Sequence, residues 1–171
     1  TYDDWCRPSI VSNAEELLGK ELKRMKTRPD TIHLCLTTDP FMYGFPEVTA
    51  LTLRLMELIN SCGICCSTLT KGVMPVELAD SVRFPEKNIH GISLVSLSEE
   101  FREKWEPGAA PYHDRIGALR ELHEYGCITL VHIEPYPTPN IIEQDLSELL
   151  EAVDFADEIW FGRWNYNNII K

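Results

Sequence analysis

The sequence lacks an apolar run long enough to cross a membrane. Its longest uninterrupted apolar stretches fall far below the roughly 18 residues that a membrane helix needs. Residues 1–20 also lack the succession of basic, apolar and small residues that marks a secretory signal. The composition, 44% hydrophobic and 25% charged over 171 residues, is ordinary for one globular domain. We therefore expect a soluble, cytoplasmic, single-domain protein.

Positive charge is scarce. The chain has 16 Lys and Arg residues against 27 Asp and Glu residues, a formal net charge of −11 with neutral histidines. Nucleic-acid affinity depends on Lys and Arg displacing counterions, so this balance argues against a broad nucleic-acid surface. The chain also lacks G-x-G-x-x-G and the phosphate-binding P-loop, and His123-Glu124 lacks the second histidine of a zinc-protease helix. A small molecule is the expected partner.

The cysteines do not form a recognisable metal motif. A domain of this size does not need disulfides, so we expect reduced thiols. Cys62-x-x-Cys65-Cys66 has a spacing that can bind zinc or exchange disulfides. However, Cys65 and Cys66 are adjacent in a predicted strand and would point to opposite faces, and no Cys or His pair follows at zinc-finger spacing. We predict no metal ligands in this chain.

Apolar runs rich in β-branched residues alternate with helix-period segments along the whole chain. This alternation predicts about five βα units around a parallel sheet. Ser12 with Glu15, and Asn140 with Glu143, have the spacing of capping boxes at two helix starts. The other predicted helices begin or end near Pro46, Gly63, Pro75, Ser81, Ser98, Trp105, Pro111 and Gly126, and the predicted strands are 32–36, 64–69, 92–95, 127–133 and 158–161.

Polar or charged residues follow each predicted strand. Because the carboxyl ends of parallel strands meet at one edge of the sheet, we expect these residues to surround a small polar ligand. Each residue alone could equally be a cap or a solvated loop residue, and a polar edge does not define a reaction. The segments concerned are 37–40, 70–72, 96–98, 134–137 and 162–165.

Several of these segments together resemble a known family. The chain resembles the radical S-adenosylmethionine enzymes related to spore photoproduct lyase, from about Ile32 to the end of the sequence. The most specific part is a Glu-Pro-Gly segment with an arginine seven residues later. The matching segments are Leu36-Thr-Thr-Asp-Pro40, Leu69-Thr-Lys71, Val95-Ser96, Glu106-Pro-Gly108 and Arg115.

The resemblance implies a fold and a chemistry. It implies an α/β fold, a partial parallel (β/α) barrel of about five units that is a truncated version of the radical S-adenosylmethionine (TIM-like) barrel. In this family a [4Fe–4S] cluster is held by Cys-x3-Cys-x2-Cys after the first strand, with S-adenosylmethionine as its fourth ligand. The cluster donates an electron, and the resulting 5′-deoxyadenosyl radical abstracts hydrogen from the substrate. The cofactors supply this chemistry.

The resemblance also implies cofactor-binding residues. Thr38 matches the hydroxyl residue that binds the methionine end of S-adenosylmethionine, Lys71 the lysine near its carboxylate, and Ser96 the serine near the ribose or carboxylate. We add three charged residues to the predicted cofactor-binding set because they lie in the same polar segments or in the matched motif. These are Asp39, Arg115 and Glu134.

The sequence departs from the family at two places. Cys62 and Cys66 have the x3 spacing, but Leu69 occupies the position of the third cysteine. We therefore expect residues 1–171 to be the C-terminal portion of a radical S-adenosylmethionine core, lacking the first strand and cluster loop and inactive alone. Photoproduct lyases also have a hydrogen-donating cysteine at the position of Leu36, so we expect a different substrate.

Two other functions remain open at this stage. The chain could be a non-catalytic α/β module that binds a small polar ligand or a partner protein. It could also be a barrel-type hydrolase or aldolase that uses Lys71 and Glu134, with the lysine forming a Schiff base. An open sheet that lacks its first strand has an exposed edge at 32–36, from which we expect self-association.

Overall fold

Five parallel strands form one sheet in a computed structural model of the chain, which describes residues 8–34 and 37–163. The strands follow one another across the sheet in chain order, and each pairs in parallel with the next. The predicted α/β class with a parallel sheet is therefore confirmed. The strands are β1 (Thr31–Leu34), β2 (Cys65–Thr70), β3 (Ile89–Ser93), β4 (Ile128–Tyr136) and β5 (Glu158–Arg163). Cys35 and Leu36, at the end of the first predicted strand, lie outside the described residues.

Helical segments connect successive strands, as parallel neighbours require. Pro46 is the first residue of the second helix, and Gly63, with a φ of 75°, follows its end as predicted. Ser98 caps the third helix by accepting a hydrogen bond from the Phe101 amide. The helices are α1 (Ala14–Arg24), α2 (Pro46–Ser61), α3 (Glu99–Trp105), α4 (Tyr112–Glu124) and α5 (Leu146–Ala152), with a 3₁₀ turn at Val76–Ala79.

The third strand begins three residues earlier than predicted. It covers Ile89–Ser93, whereas the sequence pattern placed it at 92–95. His90 and Gly91 interrupt the apolar run, which is why the periodicity missed this part of the strand. Burial in the core lowers the pKa of His90 to about 4, so the side chain is neutral near pH 7 and compatible with an apolar environment.

Both predicted capping boxes are wrong. The side chain of the residue that precedes α1 makes no capping hydrogen bond, and the helix begins after the Ser12 position, so Glu15 lies in its first turn. The last helix is capped by Asp145, which accepts a hydrogen bond from the Ser147 amide, and not by Asn140 with Glu143. The residue spacing of a capping box is a local sequence signal, whereas packing against the sheet decides where each helix starts.

The two faces of the sheet have different environments. Side chains alternate between faces along each strand, and one set joins the core formed with the helices. Cys66, Ile92 and Val131 belong to this core set. The opposite set includes Cys65 and Ser67, which are partly exposed. One face is therefore buried under helices, while the other keeps partial access to solvent.

The amino end of β2 is fixed by two asparagines. Asn60 and Asn88 exchange reciprocal side-chain hydrogen bonds of 3.0 Å. Asn88 Oδ1 also accepts a hydrogen bond of 2.8 Å from the Cys66 amide, and Asn60 donates to the Ile64 carbonyl at 2.9 Å. Asn88 is almost fully buried, so these bonds satisfy polar groups that water cannot reach.

We predict that Asn88→Ala lowers the free energy of unfolding by about 2–4 kcal/mol, because it leaves the buried Cys66 backbone N–H without its partner and removes both hydrogen bonds between Asn88 and the Asn60 amide. Urea denaturation measures the loss. The control is Asn140→Ala at an exposed position, which should change stability by less than about 0.5 kcal/mol. Equal effects of the two substitutions would contradict the role assigned to Asn88.

None of the helices in the described ranges is long and apolar enough to cross a bilayer.

The sheet has two edges, β1 and β5. Thr31 and His33 of β1 are exposed, and three large side chains of β5, Ile159, Trp160 and Phe161, are also exposed. A strand at the edge of a sheet can pair with a strand of a second chain. The edge position predicted for the first strand is therefore observed, while its use in self-association stays a prediction.

We predict that the sedimentation coefficient rises with concentration, and that the double substitution Thr31→Lys/His33→Lys reduces this rise, because lysines on an edge strand oppose pairing. Ser61→Lys, at an exposed helix end, is the control for added positive charge. A compact monomer at every concentration would contradict self-association.

Candidate functional site

The candidate site lies at the carboxyl edge of the sheet, where the loops after β1, β2 and β3 meet. We call this region the mouth and define it by Thr38, Asp39, Lys71 and Glu106. The three strands are adjacent and parallel, so the loops that follow them leave the sheet at one edge. This edge is the place that the strand-end pattern predicts for a ligand.

Asp39 joins the first two loops of the mouth. One of its carboxylate oxygens accepts hydrogen bonds from the Phe41 amide at 2.9 Å and from the Thr70 hydroxyl. The other accepts from the Lys71 amide at 2.7 Å. Both oxygens are therefore occupied by groups of the protein. Asp39 fixes the backbone of Lys71, which is an indirect contribution to any ligand site.

Gly72 allows the loop after β1 to lie against the loop after β2. A Cβ atom at this position would lie 1.8 Å from the Phe41 carbonyl oxygen, far closer than any van der Waals contact. The Gly72 amide donates to Thr70 Oγ1 at 2.7 Å. The Thr-Lys-Gly sequence therefore combines a hydroxyl, a cation and the one residue small enough for this contact.

Glu106 connects Lys71 with Arg115. Its Oε1 lies 2.6 Å from the Lys71 ammonium, and its Oε2 lies 3.0 Å from Arg115 Nη2. The Glu106 side chain is 3% exposed and that of Arg115 is fully buried, whereas Lys71 is 46% exposed. A buried carboxylate thus has one buried and one accessible cationic partner.

Arg115 is held by the backbone of the same region. Its Nε donates to the Ala110 carbonyl at 2.8 Å and its Nη1 to the Ser93 carbonyl at 2.9 Å. The guanidinium lies 4.8 Å from the centre of the Tyr112 ring. The Ala110 amide in turn donates to the Lys71 carbonyl at 2.9 Å. The Glu-Pro-Gly segment and its arginine therefore attach the loop before α4 to the end of β2.

Thr38 and Ser96 occupy different environments. Thr38 is exposed in the loop after β1. Ser96 is fully buried, three residues after the end of β3, and its Oγ accepts a hydrogen bond of 3.1 Å from the Ser98 amide. Thr38 and Lys71 are thus accessible, whereas Ser96 is buried and its side chain supports the turn that leads into α3. The cofactor-binding roles of all three stay predictions.

Glu134 belongs to a second group of residues, around β4 and β5. Its Oε2 lies 3.2 Å from His132 Nε2, and the His132 ring packs edge-on against Trp160 with a centroid distance of 6.1 Å. A Cβ atom at Gly162 would lie 2.4 Å from the Glu134 carboxyl carbon, so the missing side chain provides room for this carboxylate. β3 separates this group from Lys71.

The described cysteines are free thiols without the geometry of a metal site. Burial raises the pKa of Cys66 to about 12, which opposes the thiolate form that binds metals. Cys65, next in sequence, belongs to the opposite face of the sheet. Within residues 8–34 and 37–163, no three His, Cys, Asp or Glu side chains are placed to hold a metal ion. Cys6 and Cys35 lie outside these ranges, as do Trp164 and Asn165 of the fifth polar segment.

Sequence reasoning did not assign Glu106 or Tyr112 to the site. Glu106 lies in the most specific segment of the family resemblance, so the sequence did mark this position. The sequence did not indicate that Glu106 pairs with both Lys71 and Arg115. Tyr112 lies in none of the motifs or polar segments that the sequence analysis singled out. Burial and the nearby carboxylate of Glu106 raise the pKa of its phenol.

Comparison with known proteins identifies one relative of uncharacterized function. The chain is 26% identical over 143 residues to uncharacterized protein ORF301 of Acidianus two-tailed virus, and the alignment covers 82% of this chain and 46% of the viral protein. The chain therefore spans about half the length of that relative. No protein-family model matches the chain. No solved structure matches it either.

We predict that Gly72→Ala disturbs the mouth, because the new methyl group would overlap the Phe41 carbonyl and push the two loops apart. The expected loss of stability is about 2–4 kcal/mol, in the range of other strained or overpacked positions. Thermal denaturation measures it. Gly117→Ala is the matched control, since a Cβ there meets no atom within 4 Å and the residue lies within α4. A Gly72→Ala variant as stable as the control would contradict the close approach.

Proposed function

We propose that this chain is part of a radical S-adenosylmethionine enzyme and that the mouth binds the amino acid end of S-adenosylmethionine. One observation carries the proposal. The ion-pair network of Lys71, Glu106 and Arg115 joins three of the segments that carry the family resemblance into one cluster at the carboxyl edge of a parallel sheet. In such sheets this edge is where ligands bind.

The donor set of the mouth is compatible with this ligand. S-adenosylmethionine has a carboxylate, which an accessible ammonium and a hydroxyl can bind. Lys71 retains N–H donors beyond its contact with Glu106, because an ammonium has three. Thr38 adds a hydroxyl one residue before Asp39, which holds the Lys71 backbone in place. Lys71 and Thr38 would thus bind the ligand carboxylate, and Asp39 would orient Lys71.

The described cysteines do not fit the iron–sulfur cluster of the family. Cys66 is buried on the helix-covered face, and Cys65 points to the other face. We therefore propose that the cluster ligands come from chain outside these 171 residues, which the greater length of the viral relative would accommodate. When bound beside a reduced cluster, S-adenosylmethionine supplies a radical for hydrogen abstraction.

The Schiff-base alternative is less compatible with the geometry. An aldolase lysine attacks its substrate as a neutral amine. Lys71 lies 2.6 Å from the carboxylate of Glu106, which is the contact of an ammonium ion. Glu134, its suggested partner in that mechanism, contacts His132 instead. The geometry therefore favours the binding of an anionic group over covalent catalysis.

We predict that the 171-residue chain binds S-adenosylmethionine in isothermal titration calorimetry and that Lys71→Ala weakens binding roughly ten- to a hundredfold, because one hydrogen bond to a charged group is lost. Lys87→Ala, at an exposed lysine after the 3₁₀ turn, is the control and should leave the dissociation constant unchanged. Lack of binding by the unmodified chain would overturn the proposal.

The enzyme part of the proposal has a separate test. The coding sequence upstream of residue 1 should contain Cys-x3-Cys-x2-Cys, and the longer protein should take up a [4Fe–4S] cluster on anaerobic reconstitution. If the upstream sequence lacks that motif while the chain binds S-adenosylmethionine, the radical-enzyme part of the proposal is wrong and the alternative of a module that binds a small polar ligand gains support.

A further inference from the structure

We propose that Glu106 is a positioning residue that acts through Lys71: its carboxylate, anchored by Arg115, holds the Lys71 ammonium where it can bind a ligand carboxylate. This inference rests on the proposed function, because it concerns the same lysine and the same ligand. It assigns a role to a buried residue that makes no contact with the ligand.

The burial of the three charged groups supports the assignment. A buried carboxylate is costly unless it is paired, and Arg115 provides a pairing partner at 3.0 Å. Arg115 therefore supplies the buried counterion, through Oε2. The second contact places the half-exposed Lys71 ammonium 2.6 Å from Oε1, the other buried oxygen of Glu106. Its effect is to restrain a flexible side chain at the mouth.

The anchoring of the network explains how such restraint would work. Arg115 is fixed by the Ala110 and Ser93 carbonyls, and the Ala110 amide is bonded to the Lys71 carbonyl. The Lys71 backbone is therefore held from both sides, by Ala110 and by Asp39. Glu106 then restrains the far end of the side chain. A lysine held at both ends loses less conformational entropy when a ligand binds.

Charge and position can be separated by substitution. Glu106→Gln removes a negative charge near the ligand and would also reduce repulsion of its carboxylate, so it changes two things at once. Glu106→Asp keeps the charge that neutralises Arg115 and withdraws the carboxylate by one methylene. The aspartate variant therefore tests position, and Glu103→Asp, at an exposed glutamate of α3, is the matched control.

The first experiment is a double-mutant cycle on S-adenosylmethionine affinity. We expect Glu106→Asp to weaken binding roughly five- to tenfold in the unmodified chain and to have no effect in a Lys71→Ala background, since its influence passes through Lys71. The decarboxylated analogue of S-adenosylmethionine should bind Glu106→Asp and the unmodified chain equally. An effect that persists without Lys71, or that is equal for both ligands, would overturn the positioning role.

The second experiment needs no ligand. Acetylation by a succinimidyl ester, followed by mass spectrometry, reports how accessible each amine is. We expect Lys71 to react several-fold faster in Glu106→Asp than in the unmodified chain, relative to Lys87. Equal rates would overturn the inference, whereas lack of S-adenosylmethionine binding by the unmodified chain would overturn only the proposed function.

A third variant covers the case in which Glu106 variants do not fold. Lys71→Arg alters only the accessible partner and leaves the Glu106–Arg115 pair intact. Its guanidinium can still pair with Glu106, so we expect it to recover part of the affinity that Lys71→Ala loses. Affinity no better than that of Lys71→Ala would contradict a role for the ion pair in positioning.

Discussion

The carboxylate of Glu106, buried between Arg115 and Lys71, is the interaction on which the carboxyl edge of the sheet depends. It joins the loop before α4 to the end of β2, and the backbone bonds of Arg115 extend the connection to the end of β3. Removing one partner of such a buried pair typically costs about 3–5 kcal/mol, because the remaining charge stays in a medium that solvates it poorly. The positions of these loops are therefore coupled to one another.

The two cations that pair with Glu106 differ in burial, so one has a structural role and the other is accessible to a ligand. Arg115 is fully buried and uses its guanidinium nitrogens on protein oxygens. Lys71 is bound to the same carboxylate but half-exposed. An accessible cation on a rigid base can bind an anion without first losing much side-chain freedom. This arrangement is what makes the mouth a better candidate site than the separate group around Glu134.

One face of the sheet and both of its edge strands keep side chains exposed to solvent. Strands in chain order with helical crossovers bury one face and leave partly exposed side chains such as Cys65 and Ser67 on the other. The edge strands β1 and β5 carry exposed side chains, including Trp160 and Phe161.

The sequence by itself determined the α/β class, the order of the elements and several of their ends. Helix and strand periodicities, the proline that opens α2 and the glycine that follows it are local signals, and they reflect backbone preferences that hold in any fold. The same signals were wrong for both capping boxes and for the start of β3. There, packing placed a polar histidine inside the core, which no local pattern indicates.

Only the tertiary structure decided which of the six predicted site residues face the mouth. Asp39, Ser96 and Arg115 are engaged by protein groups, while Lys71 and Thr38 remain accessible. The sixth, Glu134, lies beside His132 in a separate group. Glu106, far from Lys71 along the chain, became part of the site only when folding brought the two charges to 2.6 Å. The reason is physical: the partner of a charged group depends on distance in space and on local burial, and neither quantity is encoded in spacing along the chain.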